Sequence, residues 1–279
     1  MTQLPLFDLS SDAPALAHLS DLSHLSKKRR RLVVEADLDE LNSQKLLSTL
    51  IKQVKKLDFQ AQITMENTLS NLSWTELPFL CVDTETTGLD RTQNRIIEVA
   101  WILFHEKKEI FSESRLCCID EPLPPEIIQL TGISDDMLVD QSHFSEHADA
   151  LLNAMKRAEF IVAYNANFDR LFLEAELRRI GRSLPDLPWV DPCTFIRELD
   201  RYQKGKKLSD ATARWGVQLT GAHRALADAK ATGLLLQKIA PLLKAHSLTE
   251  LIQLQNQWQQ EQDRNFKAYL AKKQGTSTM

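Results

Sequence analysis

Residues 79–89 read FLCVDTETTGL, and in them the apolar run Phe79–Val82 leads directly into Asp83-Thr84-Glu85. The apolar run predicts a buried β-strand. Residues two apart on a strand point to the same face, so the carboxylates of Asp83 and Glu85 leave this strand side by side. Like charges that close repel each other, and a divalent cation relieves the repulsion. The stretch therefore indicates either a metal site or a strand that ends in a polar turn at Gly88.

Two later segments favour the metal site. The sequence YNANFD at 164–169 follows the apolar run 160–163 and ends in Asp169. The sequence HRALADA at 223–229 opens a helix-like stretch and contains Asp228. With the first segment they supply four carboxylates, which are the hard oxygen ligands that Mg²⁺ and Mn²⁺ prefer. Two such ions, roughly 3.5–4 Å apart, form the clamp that stabilises the attacking and leaving oxygens in phosphodiester hydrolysis.

Together the three segments resemble the DEDDh family of 3′-5′ exonucleases, and within it the proofreading epsilon subunits of bacterial DNA polymerase III. The likeness covers roughly residues 78–242, and its main local departure is Tyr164, where many relatives have histidine. The resemblance implies an α/β, ribonuclease-H-like fold, in which a mixed sheet is flanked by helices. It also implies two ions, Mg²⁺ or Mn²⁺, with Asp83 bridging both. Glu85 and Asp228 would complete the protein ligands of one ion, and Asp169 would bind the other, partly through water.

The resemblance makes His223 the candidate general base. Imidazole ordinarily titrates near pH ~6.5, which suits it to removing a proton from the attacking water at neutral pH. His223 and Asp228 are five residues apart, or 1.4 helical turns, so they converge only if His223 lies outside the helix that carries Asp228. A histidine at a helix start is otherwise commonly a polar residue with no chemistry.

The implied activity is metal-dependent 3′-5′ hydrolysis of DNA to nucleoside 5′-monophosphates, in repair or proofreading. The substrate would be a single-stranded or frayed 3′ end, and a DNA polymerase is a possible partner. One alternative is a nuclease on the same fold that trims RNA 3′ ends, because the motifs encode the sugar preference poorly. Another is a non-catalytic adaptor that binds a clamp or polymerase, although the presence of all five site residues argues against it.

Six further residues are candidates for binding the substrate. The turn after the first strand has main-chain N–H groups that we expect to face the terminal nucleotide. Leu89 and Phe168 are candidates for apolar contact with bases, which holds single strands without reading their sequence. Core packing is an equal alternative for Phe168. Asn165 is a candidate for bonding the backbone or the nucleotide. The six candidates are Thr86, Thr87, Gly88, Leu89, Asn165 and Phe168.

A basic segment lies between residues 197 and 207. Its five cations outnumber its two carboxylates, so it predicts an edge that binds phosphates. A solvated loop explains the same composition equally well. The cations are Arg197, Arg201, Lys204, Lys206 and Lys207, and the carboxylates are Glu198 and Asp200.

The sequence QLPLF at 3–7 is similar to the peptide with which bacterial replication and repair proteins dock onto the DNA polymerase sliding clamp. In that likeness Leu6 and Phe7 would fill an apolar pocket, and Gln3 would hydrogen-bond at its rim beside Leu4. Residues 1–31 are rich in Ser, Asp and Leu and end in five consecutive cations, so we expect a flexible tail there.

Composition limits the remaining possibilities. The 279 residues carry a net charge of −4, which is unusual for a nucleic-acid binder unless the carboxylates hold cations. No apolar run approaches the ~20 residues that span a bilayer, and no signal peptide is visible, so we expect a cytoplasmic protein. The four cysteines form no C-x-x-C pair and indicate reduced core residues rather than zinc ligands or disulfides.

Composition, hydrophobic periodicity and the extent of the resemblance together divide the chain into four parts. We expect a tail over 1–31, a helical extension over 32–77, the exonuclease domain over 78–242 and a C-terminal helix over 243–279. The C-terminal helix has two possible roles, packing on the N-terminal helix or dimerisation. Within the domain the expected strands are 79–82, 96–104, 111–119 and 160–163, and the expected helices are 144–158, 169–180, 208–215 and 225–243.

Overall fold

The computed structural model describes residues 73–276. Its centre is a mixed sheet of five strands in the order β3-β2-β1-β4-β5. β1 pairs antiparallel with β2 and parallel with β4, β2 pairs antiparallel with β3, and β4 pairs parallel with β5. The strands are β1 (Phe79–Thr86), β2 (Ile96–His105), β3 (Lys108–Leu116), β4 (Phe160–Val162) and β5 (Trp189–Val190).

Helices cover both faces of the sheet, so the expected α/β architecture of a mixed sheet flanked by helices is confirmed. The helices are α1 (Pro125–Thr131), α2 (Asp135–Leu138), α3 (Phe144–Met155), α4 (Asn167–Arg179), α5 (Pro192–Leu199), α6 (Leu208–Trp215), α7 (Ala225–Ile239) and α8 (Leu248–Thr276), with short 3₁₀ turns at Trp74–Glu76 and Ala240–Leu242.

Alternation along β1 divides the core in two. Leu80 and Val82 point to one face and pack with α3 and α4, whereas Phe79 and Cys81 point to the other and pack with α5, α6 and α7. On the second face α7 lies very close to the sheet, because a Cβ at Gly233 would lie 2.4 Å from the Phe104 ring and 2.8 Å from Cys81 Sγ. This close approach brings the start of α7 to the end of β1.

The structure corrects several sequence-based boundaries. The first strand does not end at Val82 but runs on through Thr86, so the acidic pair lies within it. The third strand covers 108–116 rather than 111–119. Pro125 begins α1, which the sequence analysis did not predict, and proline at the first helical position loses no hydrogen bond. Periodicity also missed α5 and the two-residue strand β5.

The glutamine-rich helix α8 packs along β5 and α5. Gln255 accepts a hydrogen bond from the Asp191 N–H at 2.7 Å and donates to the Trp189 carbonyl at 3.0 Å. Trp258 stacks edge-on against Phe195 with ring centroids 5.9 Å apart. Gln255 therefore satisfies two main-chain groups at the edge of the sheet.

Among residues 73–276 no helix combines the length and the apolar character needed to cross a membrane. All four cysteines are free; Cys81, Cys117 and Cys193 are buried, whereas Cys118, also predicted to lie in the core, is half-buried. The sequence QLPLF at 3–7, with Gln3, Leu4, Leu6 and Phe7, lies outside the described residues, as does the expected extension as far as residue 72.

Candidate active site

Two of the acidic side chains project from β1, the central strand of the sheet. Asp83 and Glu85 continue the alternation of Phe79 and Cys81, so they lie on the face covered by α7. Both are half-buried. The apolar residues Phe79–Val82 bury the first half of β1, and the two carboxylates follow them in its second half.

The third carboxylate comes from the first turn of α7. Asp228 brings an oxygen to Asp83 and Glu85, and the three ligand atoms all lie within 4.8 Å of one another. Three carboxylates at this spacing are a hard-oxygen donor set that fits Mg²⁺ or Mn²⁺. The structure therefore brings together three of the four predicted metal ligands in one cluster.

The electrostatics of this cluster also fit a cation. Burial raises the pKa of Asp83 well above its ordinary value, and the carboxylates of Asp169, Asp228 and Glu85 raise it further. Burial, followed by the charges of Asp228 and Glu98, raises the pKa of Glu85 to about 8. The pKa of Asp228 is also raised, mainly by burial. The raised pKa values mean that the carboxylates disfavour one another's charge, which a divalent cation would neutralise.

Asp169 stands beside the cluster rather than within it. It lies in the first turn of α4, is 3% exposed, and accepts a hydrogen bond from the Thr84 hydroxyl at 2.8 Å. Burial raises its pKa to about 7, although the bond from Thr84 acts in the opposite direction. Its charge nevertheless acts on Asp83, so the two carboxylates share one electrostatic environment.

His223 lies just outside α7, as its spacing from Asp228 requires. Its side chain is exposed and its backbone has φ 65°, a left-handed conformation that few residues other than glycine adopt. Its main-chain N–H donates to Asp228 Oδ2 at 3.0 Å. The turn therefore fixes the histidine backbone against one of the carboxylates while its imidazole remains accessible.

The sequence analysis missed a buried ion pair next to this cluster. Glu98 on β2 lies directly opposite Glu85 in the antiparallel register and is 1% exposed. Its carboxylate accepts from Arg224 Nε at 3.1 Å and Nη2 at 3.2 Å, and from the Ala225 N–H at 3.2 Å. The sequence feature that could have revealed this pair is the lone acidic residue inside the apolar run of β2, because a buried charge requires a partner.

The turn after β1 carries four of the residues predicted to bind the substrate. The Thr87 N–H donates to the Arg95 carbonyl at 2.9 Å, and Thr87 Oγ1 accepts from the Arg95 N–H at 3.0 Å. The Thr86 hydroxyl donates to the Gly88 carbonyl at 2.6 Å. These bonds hold the turn in place, and the Leu89 side chain is 86% exposed.

The other two substrate candidates follow β4. Asn165 is exposed, has φ 66°, and its N–H donates to Asp191 Oδ1 at 2.9 Å, so the turn itself explains its conformation. Phe168 is half-buried and lies against Phe172 with ring centroids 4.8 Å apart. Packing against the core is thus present for Phe168, and part of its ring remains accessible.

Known proteins are similar to the segment that contains this site. The exonuclease family model RNase_T matches residues 80–236, more than half of the chain. DNA polymerase III subunit epsilon of Treponema pallidum is 35% identical over 156 residues, which are 54% of this chain and 71% of that protein. DNA polymerase III PolC-type of Halalkalibacterium halodurans is 34% identical over 161 residues, 58% of this chain but only 11% of that much longer protein.

Solved structures share the fold at lower sequence identity. Exonuclease I of E. coli, in complex with a dA16 oligonucleotide, has a TM-score of 0.54 at 19% identity. The match covers 63% of this chain and 42% of the exonuclease I chain. The nuclease domain of 3′hExo, a DEDDh family member bound to rAMP, has a TM-score of 0.53 at 16% identity. The match covers 61% of this chain and 94% of the 3′hExo chain.

The family model matches the segment that carries the acidic cluster. The chain belongs to the RNase_T exonuclease family.

Proposed function

We propose that this exonuclease is a metal-dependent 3′-5′ enzyme that hydrolyses DNA from 3′ ends to nucleoside 5′-monophosphates, in repair or proofreading. The observation that supports it most strongly is the convergence of Asp83, Glu85 and Asp228 within 4.8 Å beside His223. A cluster of carboxylates with raised pKa values costs the fold stability unless a cation neutralises it. Binding of a cation, rather than stability of the fold, therefore explains why these carboxylates lie together.

Two Mg²⁺ or Mn²⁺ ions would be held by the cluster and by Asp169. When bound, they would supply stabilisation of the charge that develops on the attacking and leaving oxygens. The chain's own contribution is to hold the oxygen ligands on rigid elements. Asp83 and Glu85 are fixed by β1, and Asp228 is fixed by α7. Asp169 is oriented by the hydroxyl of Thr84.

His223 is the group that would accept the proton of the attacking water. Its main-chain N–H donates to Asp228, which places its backbone beside the cluster, and its side chain is exposed. A neutral imidazole accepts a proton at neutral pH, and a protonated one does not. Turnover by this route therefore requires the imidazole in its neutral form.

The substrate proposal rests on the relatives. One is a DNA polymerase III subunit epsilon, and one structural neighbour holds a DNA oligonucleotide. We assign this chain a single-stranded or frayed DNA 3′ end on that basis, with a bacterial sliding clamp and a DNA polymerase as partners. Docking on the clamp would use the peptide at residues 3–7, and a bacterial cytoplasmic location accompanies this proposal.

One experiment separates this proposal from its alternatives. DNA and RNA single strands of the same sequence, each labelled at the 3′ nucleotide, are incubated with the protein in Mg²⁺ and in EDTA. The proposal predicts Mg²⁺-dependent release of labelled nucleoside 5′-monophosphate, faster from DNA. Faster release from RNA would favour the trimming nuclease. No release from either substrate would favour a non-catalytic adaptor.

A further inference from the structure

The loop of residues 201–207, which joins α5 to α6, is here called the 201–207 loop. Its sequence, RYQKGKK, has four cations and no carboxylate. Tyr202 lies within it and is 93% exposed, more than any other large hydrophobic or aromatic side chain in the described part of the chain. An aromatic ring that packs against nothing in the fold is available to a ligand.

The conformation of this loop is fixed from the inside. Arg214 on α6 donates to the Lys204 carbonyl at 3.1 Å and to the Gly205 carbonyl at 2.9 Å. Lys206 Nζ donates to two main-chain carbonyl oxygens of preceding residues. Gly205 has φ 74°, and a Cβ there would lie 2.5 Å from the Asp210 carboxylate. The loop is thus held without any contribution from the Tyr202 ring.

Tyr164 links the loop to the acidic cluster. Its hydroxyl donates to the Lys206 carbonyl at 2.6 Å. β4 pairs in parallel with β1, with Cys81 opposite Val162, so both strands end at the same edge of the sheet. Tyr164 follows β4 by two residues and therefore lies at the edge toward which Asp83 and Glu85 lead. A nucleic-acid strand, with phosphates about 3.4 Å or more apart, extends along such an edge with a few nucleotides.

The cations of the loop fall into two groups. Arg201 pairs with Glu198, and the Lys206 ammonium donates to the carbonyls of Asp200 and Gln203. Lys204 and Lys207 are exposed, and neither forms an ion pair with any residue of the stretch 73–276. Two such lysines therefore follow the exposed ring within five residues, on a chain whose net charge is −4.

We propose that Tyr202, Lys204 and Lys207 bind the single-stranded part of the substrate, a few nucleotides on the 5′ side of the bond that is cleaved. The ring stacks on a base and the two ammonium groups contact phosphates, which holds a strand of any sequence. Because the loop is already ordered, binding loses little conformational freedom. This surface offsets the repulsion between a polyanionic strand and the acidic cluster. The inference rests on the proposed function, from which it takes its ligand.

The test measures binding of fluorescent (dT)12 to the full chain by anisotropy, in EDTA so that nothing is hydrolysed. We expect Tyr202→Ala to weaken binding about 5- to 100-fold, the range of one lost base stack, and Tyr202→Phe to change it less than twofold. The double variant Lys204→Gln/Lys207→Gln should flatten the plot of log Kd against log salt concentration by about 1.4, because each single-strand phosphate contact contributes about 0.7.

Tyr269→Ala is the matched control, since Tyr269 is an exposed tyrosine on α8, far along the chain from the loop. Binding by Tyr202→Ala that equals wild type or this control overturns the inference, and so does an equal loss in Tyr202→Phe. The wild-type protein is assayed separately on the p-nitrophenyl ester of thymidine 5′-monophosphate with Mg²⁺. This ester is too short to reach the loop, so its failure to react counts against the proposed function and not against the binding surface.

Discussion

The main-chain N–H of His223 donates a hydrogen bond to Asp228 Oδ2 at 3.0 Å, across the start of α7. The bond requires His223 to take a left-handed backbone conformation, with φ 65°. Such a conformation costs a side-chain-bearing residue roughly 1–2 kcal/mol. The candidate general base is therefore held at some expense to the fold, which is typical of residues at functional sites.

Replacing His223 should separate stability from turnover. We expect His223→Gly to be about 1 kcal/mol more stable than His223→Ala, because glycine adopts the left-handed conformation freely. Both variants should lower kcat by roughly 10²–10⁴. Urea unfolding and steady-state kinetics measure the two effects. A glycine variant with wild-type kcat would show that the imidazole has no part in the reaction.

The pH–rate profile gives the second half of that test. If the imidazole accepts the proton, the acidic limb should disappear in His223→Gly and should keep its position in wild type when Mg²⁺ is raised tenfold. A limb that belongs to the carboxylates should move to lower pH with added Mg²⁺, because the cation competes with their protons. A limb that persists unchanged in the variant would assign it to another group.

The metal-free protein should lose stability as the pH rises. The folded-state pKa of Glu85 is about 8, above its ordinary value of 4.5, so the folded state binds this proton more tightly than the unfolded state does. The stability that this proton contributes to the folded state is full below about pH 4.5. It is lost as the pH rises to about 8. Each kcal/mol lost lowers Tm by roughly 2–4 °C for a chain of this size, so we expect Tm in EDTA to fall by several degrees from pH 5 to pH 8.

Saturating Mg²⁺ should raise Tm more at pH 8 than at pH 5, since fewer protons then have to leave. Glu85→Gln should flatten the pH dependence in EDTA, because the variant has no proton to release. A Tm in EDTA that rises over this range, in both wild type and variant, would contradict the predicted effect of the cluster.

The pair formed by Glu98 and Arg224 should matter more than an exposed pair. Arg224→Met leaves the Glu98 carboxylate, which is 1% exposed, without its cation. We expect a loss of about 2–4 kcal/mol in the free energy of unfolding. Arg115→Met is the matched control, because the side chains of Arg115 and its partner Glu113 are 46% and 35% exposed. That change should cost less than about 1 kcal/mol.

Adding Glu98→Gln to Arg224→Met should recover part of the loss, because the uncompensated buried charge is then removed. Chemical denaturation of the three variants gives the comparison. Equal stability of Arg224→Met and Arg115→Met would mean that the buried carboxylate gains nothing from its arginine.

Much of the fold could be predicted because its signals are local. The bounds of α6 follow from the periodicity of residues 208–215, and the start of α3 from that of residues 144–158. The acidic pair of β1 shares a face because side chains alternate along any strand. By contrast, β5 has only two residues, too few for a period, and its place in the sheet depends on its pairing with β4.

The parts of the site that sequence missed are those that depend on long-range contacts. Glu98 and Arg224 are 126 residues apart, and nothing in either local pattern indicates the other. The orientation of Asp169 could not be predicted for the same reason, because the hydroxyl that orients it belongs to Thr84, 85 residues away. The apolar run around Glu98 signalled only that the charge needed a partner, not which one.

The peptide at residues 3–7 should bind the bacterial sliding clamp, with most of its energy from Leu6 and Phe7. Burying one such side chain contributes on the order of 1.5–3 kcal/mol, and ordering the peptide offsets part of it. We expect a Kd in the micromolar range, about −8 kcal/mol. Changing Leu6 and Phe7 to Ala should abolish binding in a calorimetric titration of the clamp and leave hydrolysis of a short oligonucleotide unchanged. Equal affinity of the two proteins would refute the docking role.

The most direct test of the proposed activity is the hydrolysis of a 5′-labelled single-stranded DNA in Mg²⁺ by wild type and by Asp83→Asn, read on a denaturing gel. The account predicts that wild type shortens the strand one nucleotide at a time from its 3′ end. Asp83→Asn, which keeps the volume of the side chain and removes the charge at the centre of the cluster, should leave the strand intact while melting no lower than wild type in EDTA. Wild-type activity in Asp83→Asn, or release of the 5′ label as a mononucleotide at the first time points, would contradict the account.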